Sequence, residues 1–153
     1  MTSSATAADV EWMKRAIELA KLCPPAEGAY SVGAIIVDNE TGEVIASGYS
    51  RETDDKVHAE ESALAKVPGD LRLKTSTIYS TLEPCSQRAS RPKPCAQLVL
   101  EAGIPRVVVA WREPALFVAN CVGLEQLEEA GVEVIEIPEL AESAKAVNSH
   151  LSV

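Results

Sequence analysis

His58, Glu60, Cys85 and Cys95 are the residues of this chain whose types and spacing can do chemistry together. They fall in two short pieces, His58-Ala59-Glu60 and Thr81-Leu82-Glu83-Pro84-Cys85, closed by Pro94-Cys95. One imidazole and two thiols are what a catalytic zinc takes from protein, with a fourth position left for water. A carboxylate two residues after the histidine has work there that a structural zinc would not need, since it can take a proton from water and pass it on. Zinc held this way lowers its water's pKa to about 7, so a nucleophile is available at neutral pH. The other arrangement open to these residues is a structural zinc with Cys23 or Cys121 as fourth ligand. An intact Glu60 favours the catalytic one.

Residues i and i+2 in mid-helix point away from each other. His58 and Glu60 therefore share one metal only if His58 stands at a helix's first turn, and the polar loop Arg51 to Val57 before it allows this. Cys85 follows directly on a strand, Thr75 to Thr81. Cys95 falls where Pro94 opens a helix, and there the positive end of the helix dipole favours a thiolate. All three ligands then lie at element ends on one sheet edge.

The surrounding elements read as follows. Thr6 with Asp9 forms a capping box for a helix to about Leu22, with Val10, Met13, Ile17 and Ala20 on one face. Ser31 to Val37 and Glu43 to Ser50 form a hairpin around Asn39-Glu40-Thr41-Gly42. Gly33 and Gly48 inside those strands point to close approach by backbone or ligand. The helix opened by His58 ends at Pro68-Gly69, and that of Cys95 runs to Ala102 before Gly103. Arg106 to Trp111 reads as a buried parallel strand, Gly123 to Ala130 as a helix, and Val132 to Ile137 as a fifth strand. Pro138 opens a last helix with Leu140, Ala144, Val147 and Leu151 on its apolar face. A hairpin followed by alternating helices and strands predicts an α/β fold: one five-stranded mixed sheet with helices on both faces, a three-layer α/β/α sandwich.

At 153 residues one domain, 1–153, is expected, with 1–6 as a frayed tail. There is no signal-like segment and no membrane-length apolar run, so a cytoplasmic protein is expected. Four cysteines without a secretory context point to metal or catalytic use rather than disulfides. A net charge of −9, with glutamates crowding the C-terminal third, opposes a phosphate backbone, and three Tyr, two Trp and one Phe offer few stacking surfaces. A nucleic-acid partner is therefore not expected. Against that acidic background, Arg88, Arg91 and Lys93 stand together between the two metal cysteines.

The motifs above are joined by Ser31-Val32-Gly33-Ala34-Ile35-Ile36-Val37, Arg91-Pro92-Lys93-Pro94-Cys95, Glu113-Pro114, Leu127 with Ala130-Gly131-Val132, and Val147-Asn148-Ser149-His150-Leu151. Together they resemble the cytidine-deaminase superfamily, and within it the deaminase domain of the riboflavin-biosynthesis diaminohydroxyphosphoribosylaminopyrimidine deaminases. Zinc-dependent base deaminases share H-x-E followed by P-C-x-x-C; here nine residues rather than two separate the cysteines. The resemblance implies hydrolytic deamination, a ring amino group becoming a carbonyl with release of ammonia. It implies His58, Cys85 and Cys95 as zinc ligands and Glu60 as proton shuttle. Arg91, four positions before the second cysteine, matches a basic residue implicated in phosphate binding, with Arg88, Ala29 and Ser31 at the other substrate-facing positions.

Departures from the family bear on the substrate half of the pattern. Ala29-Tyr30 stands where the family has Asn-Pro, Gln87-Arg88 replaces paired histidines, and the intercysteine loop is one residue longer. The expected partner is a small aminated heterocycle, either the phosphoribosylated pyrimidine or another nucleoside- or nucleotide-like ring. A non-catalytic zinc module is the remaining alternative. The resemblance also implies a homodimer or larger homo-oligomer, and a deaminase domain standing alone where two-domain members continue into a reductase.

Overall fold

The computed structural model describes residues 5–24, 30–54, 56–84, 94–111 and 123–148. Its elements are α1 (Ala7–Ala20), β1 (Gly33–Asp38), β2 (Val44–Tyr49), α2 (Ala59–Ala65), β3 (Ser76–Ser80), α3 (Cys95–Ala102), β4 (Arg106–Val109), α4 (Gly123–Glu129), β5 (Glu133–Glu136) and α5 (Ala141–Ala146). The strands form one mixed sheet in the order β2-β1-β3-β4-β5. β1 is antiparallel to both β2 and β3, while β3, β4 and β5 run parallel.

Side-chain alternation along the strands divides the core into two layers. Ile35, Val37, Tyr79, Val108 and Ile135 pack with Met13, Ala16 and Ile17 of α1 and Ala144 of α5. Ile36, Ile78, Val107 and Val109 face Ala63 of α2, Ala96 and Val99 of α3, and Leu124 and Leu127 of α4. This is the expected three-layer arrangement.

Several boundaries differ from the sequence reading, each for a local reason. α1 stops at Ala20 rather than Leu22 because Lys21, Leu22 and Cys23 donate to carbonyls three residues back, tightening the last turn. β1 begins at Gly33 rather than Ser31: Ser31 N–H donates to Asn148 Oδ1 (2.6 Å) and Val32 N–H to Ser50 Oγ (3.0 Å), so side chains take these two donors while Val32 O still accepts from Ser50 N–H (3.0 Å). β4 ends at Val109, and past it Trp111 offers its carbonyl to Glu83 N–H at 2.8 Å. α2 ends at Ala65, short of Pro68. A 3₁₀ turn, Leu71–Thr75, was not anticipated; Asp70 caps it and Leu73 plugs the core. Pro138 opens a second 3₁₀ turn, Pro138–Leu140, rather than α5 itself, and Leu151 lies outside the described residues.

The capping box is as expected. Thr6 Oγ1 accepts from Asp9 N–H (3.1 Å) and Asp9 Oδ2 from Thr6 N–H (2.9 Å). Asp9 also does more than cap. It is buried, and Arg106 of β4 donates to both of its oxygens (2.8 and 2.7 Å) while Tyr79 Oη donates to Oδ1 (2.6 Å). Burial pushes the Asp9 carboxyl up, but the Arg106 guanidinium and the Thr6 and Tyr79 donors outweigh it and hold the group well below the ordinary carboxylate range. This clamp fixes α1 across β3 and β4, so the sheet carrying the site has a rigid back.

Both strand glycines mark close approach by backbone. A Cβ on Gly33 would overlap the Ala16 carbonyl of α1, and one on Gly48 would lie 2.6 Å from Ala59 O of α2. Gly48 thus sets how closely α2 sits on the sheet.

Candidate metal centre

α2 is the element that carries most of the site. His58 stands at its N-cap in extended conformation (φ −89°, ψ 161°), and Glu61 Oε1 accepts the His58 N–H at 3.2 Å. The non-helical His58 backbone lets residue 58 share a side with residue 60, as the spacing argument required. The preceding loop is braced by Arg51 N–H donating to Val57 O at 2.8 Å. Glu60, the second residue of the helix, is buried against the end of β3, where its Oε1 accepts from Ser80 Oγ at 2.7 Å.

Cys95 comes from the second helix of the same layer. It is the first residue of α3, follows Pro94 at φ −72° and ψ 161°, and is fully buried. Its Sγ is 3.4 Å from His58 Nδ1. Donor atoms of His58, Glu60 and Cys95 all lie within 4.8 Å of one another. Nitrogen and sulfur ligands at usual zinc distances and a tetrahedral angle would be about 3.6 Å apart, so the pair fits a shared ion. Thiolate with imidazole is a donor set suited to zinc rather than to magnesium or calcium.

Thr81 to Pro84 lead from β3 toward Cys85 and are tied on both sides. Thr81 N–H donates to Gly33 O and Thr81 Oγ1 accepts from Gly33 N–H (3.1 and 3.2 Å). Glu83, also buried, accepts the Leu124 N–H at the start of α4 (3.1 Å). Cys85 itself, with Arg88, Arg91 and Ala29, lies outside the described residues. Ser31 is described and buried: its Oγ accepts from Arg51 Nη2 at 3.1 Å, and Asn148 Nδ2 donates to its carbonyl at 3.1 Å. Cys23 does not join the group; its thiol donates to Val32 O at 3.5 Å. Cys121 lies outside the described residues.

Sequence reasoning missed Ser80, Glu83 and the Arg51 clasp. Arg51 adopts φ +61° and donates to Pro24 O, Tyr30 O and Ser31 Oγ, holding both sides of the segment before β1. The one available signal was Ser80, a hydroxyl on the strand face it shares with Ser76 and Ile78.

A mixed sheet that presents an imidazole, a thiol and a buried carboxylate from two helices on one face is the framework of a metal-dependent enzyme. Residues 6–111 match the family model of the cytidine and deoxycytidylate deaminase zinc-binding region, and the chain belongs to that family. It is 42% identical over 130 residues to the diaminohydroxyphosphoribosylamino-pyrimidine deaminase of Schizosaccharomyces pombe, covering 82% of this chain and 31% of that protein. It is 40% identical over 132 residues to the riboflavin biosynthesis protein RibD of Actinobacillus pleuropneumoniae, covering 86% of this chain and 33% of the relative. The solved structure of Acinetobacter baumannii RibD superposes with a TM-score of 0.73 at 35% identity, over 92% of this chain and 38% of that one. The chain thus spans about a third of the length of the curated relatives it matches. Among the described residues no helix is long and apolar enough to cross a membrane.

Proposed function

We propose that the chain is a zinc-dependent hydrolytic deaminase that converts a ring amino group of a phosphoribosylated diaminopyrimidine to a carbonyl. The observation that carries this reading is the meeting of donor atoms of His58, Cys95 and the buried Glu60 within 4.8 Å, with Cys95 Sγ 3.4 Å from His58 Nδ1. In this reading His58, Cys95 and Cys85 hold the metal. When bound, zinc supplies the Lewis acid that makes a water nucleophilic at neutral pH. Glu60, buried beside the His58 and Cys95 donors, would take a proton from the attacking water and deliver it to the departing amino group. A carbon–oxygen bond forms and the carbon–nitrogen bond breaks; the amine leaves as ammonia with the proton Glu60 carries, and the second proton of water ends on the ring nitrogen beside the new carbonyl. Burial of Glu60 keeps bulk solvent from competing for the proton, and such a shuttle contributes about 10²–10⁴-fold in rate.

The substrate assignment draws support from relatives named for this pyrimidine and from Arg91 in the basic intercysteine loop, which would meet the phosphate. A second reading, deamination of another small aminated heterocycle, is favoured by Ala29 and Gln87-Arg88 at positions where the resemblance implies asparagine and histidines. Ammonia release across the phosphoribosyl diaminopyrimidine, its dephosphorylated form, cytosine, cytidine and deoxycytidylate separates the two. Turnover of the first alone supports the riboflavin-type substrate; turnover only of another compound overturns it. The acting species in this proposal is a homo-oligomer, which sedimentation of the zinc-loaded protein tests.

A further inference from the structure

Ser80 is the last residue of β3 and has no exposed surface. It pairs with Ala34 on β1 and Val109 on β4, and strand alternation puts it on the layer of Ile36, Ile78, Ala63 and Ala96. A hydroxyl buried on an apolar face costs stability unless it is hydrogen-bonded. Its Oγ has two partners at equal distance: Glu60 Oε1 at 2.7 Å and the Leu82 carbonyl at 2.7 Å.

We propose that Ser80 is the positioning residue for the Glu60 carboxylate, holding the proton shuttle by one oxygen so that the group faces the metal site in a single orientation. This rests on the deaminase reading of the site. A carboxylate at the end of two methylenes has free rotation about its last bonds, and one anchored oxygen removes it. Serine suits the position because a hydroxyl both donates and accepts. Its hydroxyl lies between the Glu60 carboxylate and the Leu82 carbonyl, which fixes both the hydroxyl and the carboxylate it meets.

The test compares Ser80→Thr with Ser80→Val, nearly isosteric side chains that differ by hydroxyl against methyl; Ser80→Ala is the second deletion, with no added volume. In Thr the hydroxyl is kept, and kcat is expected within about threefold of wild type. In Val and Ala, kcat is expected to fall about ten- to a hundredfold, the range for partners that orient a metal site. KM and zinc affinity, measured by chelator competition, stay within about twofold. Crystal structures of the metal-free variants supply a readout independent of turnover: Glu60 leaves its orientation in Val and Ala and keeps it in Thr. Equal kcat in Val and Thr, a parallel fall in zinc affinity, or an unmoved Glu60 in both deletions overturns the proposal. If wild type turned over no heterocycle, the deaminase reading would fail, and the Glu60 orientation would still decide the anchor.

Discussion

Gly48→Ala tests whether the seat of α2 on the sheet governs the site. The added Cβ would lie 2.6 Å from Ala59 O, 2.7 Å from Ala63 N and 2.9 Å from Ser62 Cβ. Two of these atoms are helix backbone, so no rotamer change relieves them. Ordinary contact begins at 3.4 Å, so strand and helix must part by about 0.8 Å. Overpacking of this kind costs about 1–3 kcal/mol. For a chain of this size that lowers Tm by about 2–12 °C. The functional effect is larger, because His58 and Glu60 ride on α2 while Cys95 rides on α3. A displacement approaching 1 Å at a reacting group costs up to about 100-fold in rate. Gly42→Ala is the control. Gly42 has open space but φ +74° in the hairpin turn, so alanine there costs about 1 kcal/mol of stability without touching α2. Differential scanning calorimetry and ammonia release on both variants give the answer. A Gly48→Ala protein that melts with wild type and deaminates within twofold of it would refute the packing argument.

Two further predictions concern the clamp and the ligands. Asp9→Asn takes the buried carboxylate away from the partly buried Arg106, which among the described residues keeps only the more exposed Glu133 as an ion-pair partner, and is expected to cost about 1–3 kcal/mol at pH 7. Because the folded carboxyl is held below its ordinary value, its contribution is full above about pH 4 and is lost as pH falls further. Chemical denaturation at pH 7 and pH 3 should show the gap between wild type and variant narrowing in acid; a constant gap would contradict the clamp. Cys95→Ala is expected to lower zinc affinity at least about tenfold in equilibrium dialysis, whereas Cys23→Ala leaves it unchanged.

Much of the site was legible because metal chemistry restricts residue type. His58, Glu60 and Cys95 announce themselves by donor atoms, and the i, i+2 spacing requires the histidine to stand at a helix start if it shares a metal with Glu60. The sheet was legible for a similar reason: β1 and β4 are apolar runs, and the Asn39–Gly42 turn joins a hairpin. What the sequence hid are partnerships between distant residues of ordinary type. Asp9 reads as a cap, and nothing local shows that Tyr79 and Arg106, 70 and 97 positions away, converge on it. Ser80 reads as a strand residue until Glu60 is brought against it. The 3₁₀ turn at Leu71–Thr75 was missed because five residues carry too little periodicity to register, although Asp70 caps it much as Thr6 caps α1.

The proton-shuttle role of Glu60 is the centre of the functional account, and one comparison tests it most directly. Zinc content and ammonia release would be measured on the same zinc-loaded samples of wild type and Glu60→Gln, with the phosphoribosyl diaminopyrimidine as substrate. The account predicts that both proteins hold zinc equally and that the variant loses at least about 100-fold in kcat. A Glu60→Gln protein that keeps its zinc and deaminates within tenfold of wild type would contradict it.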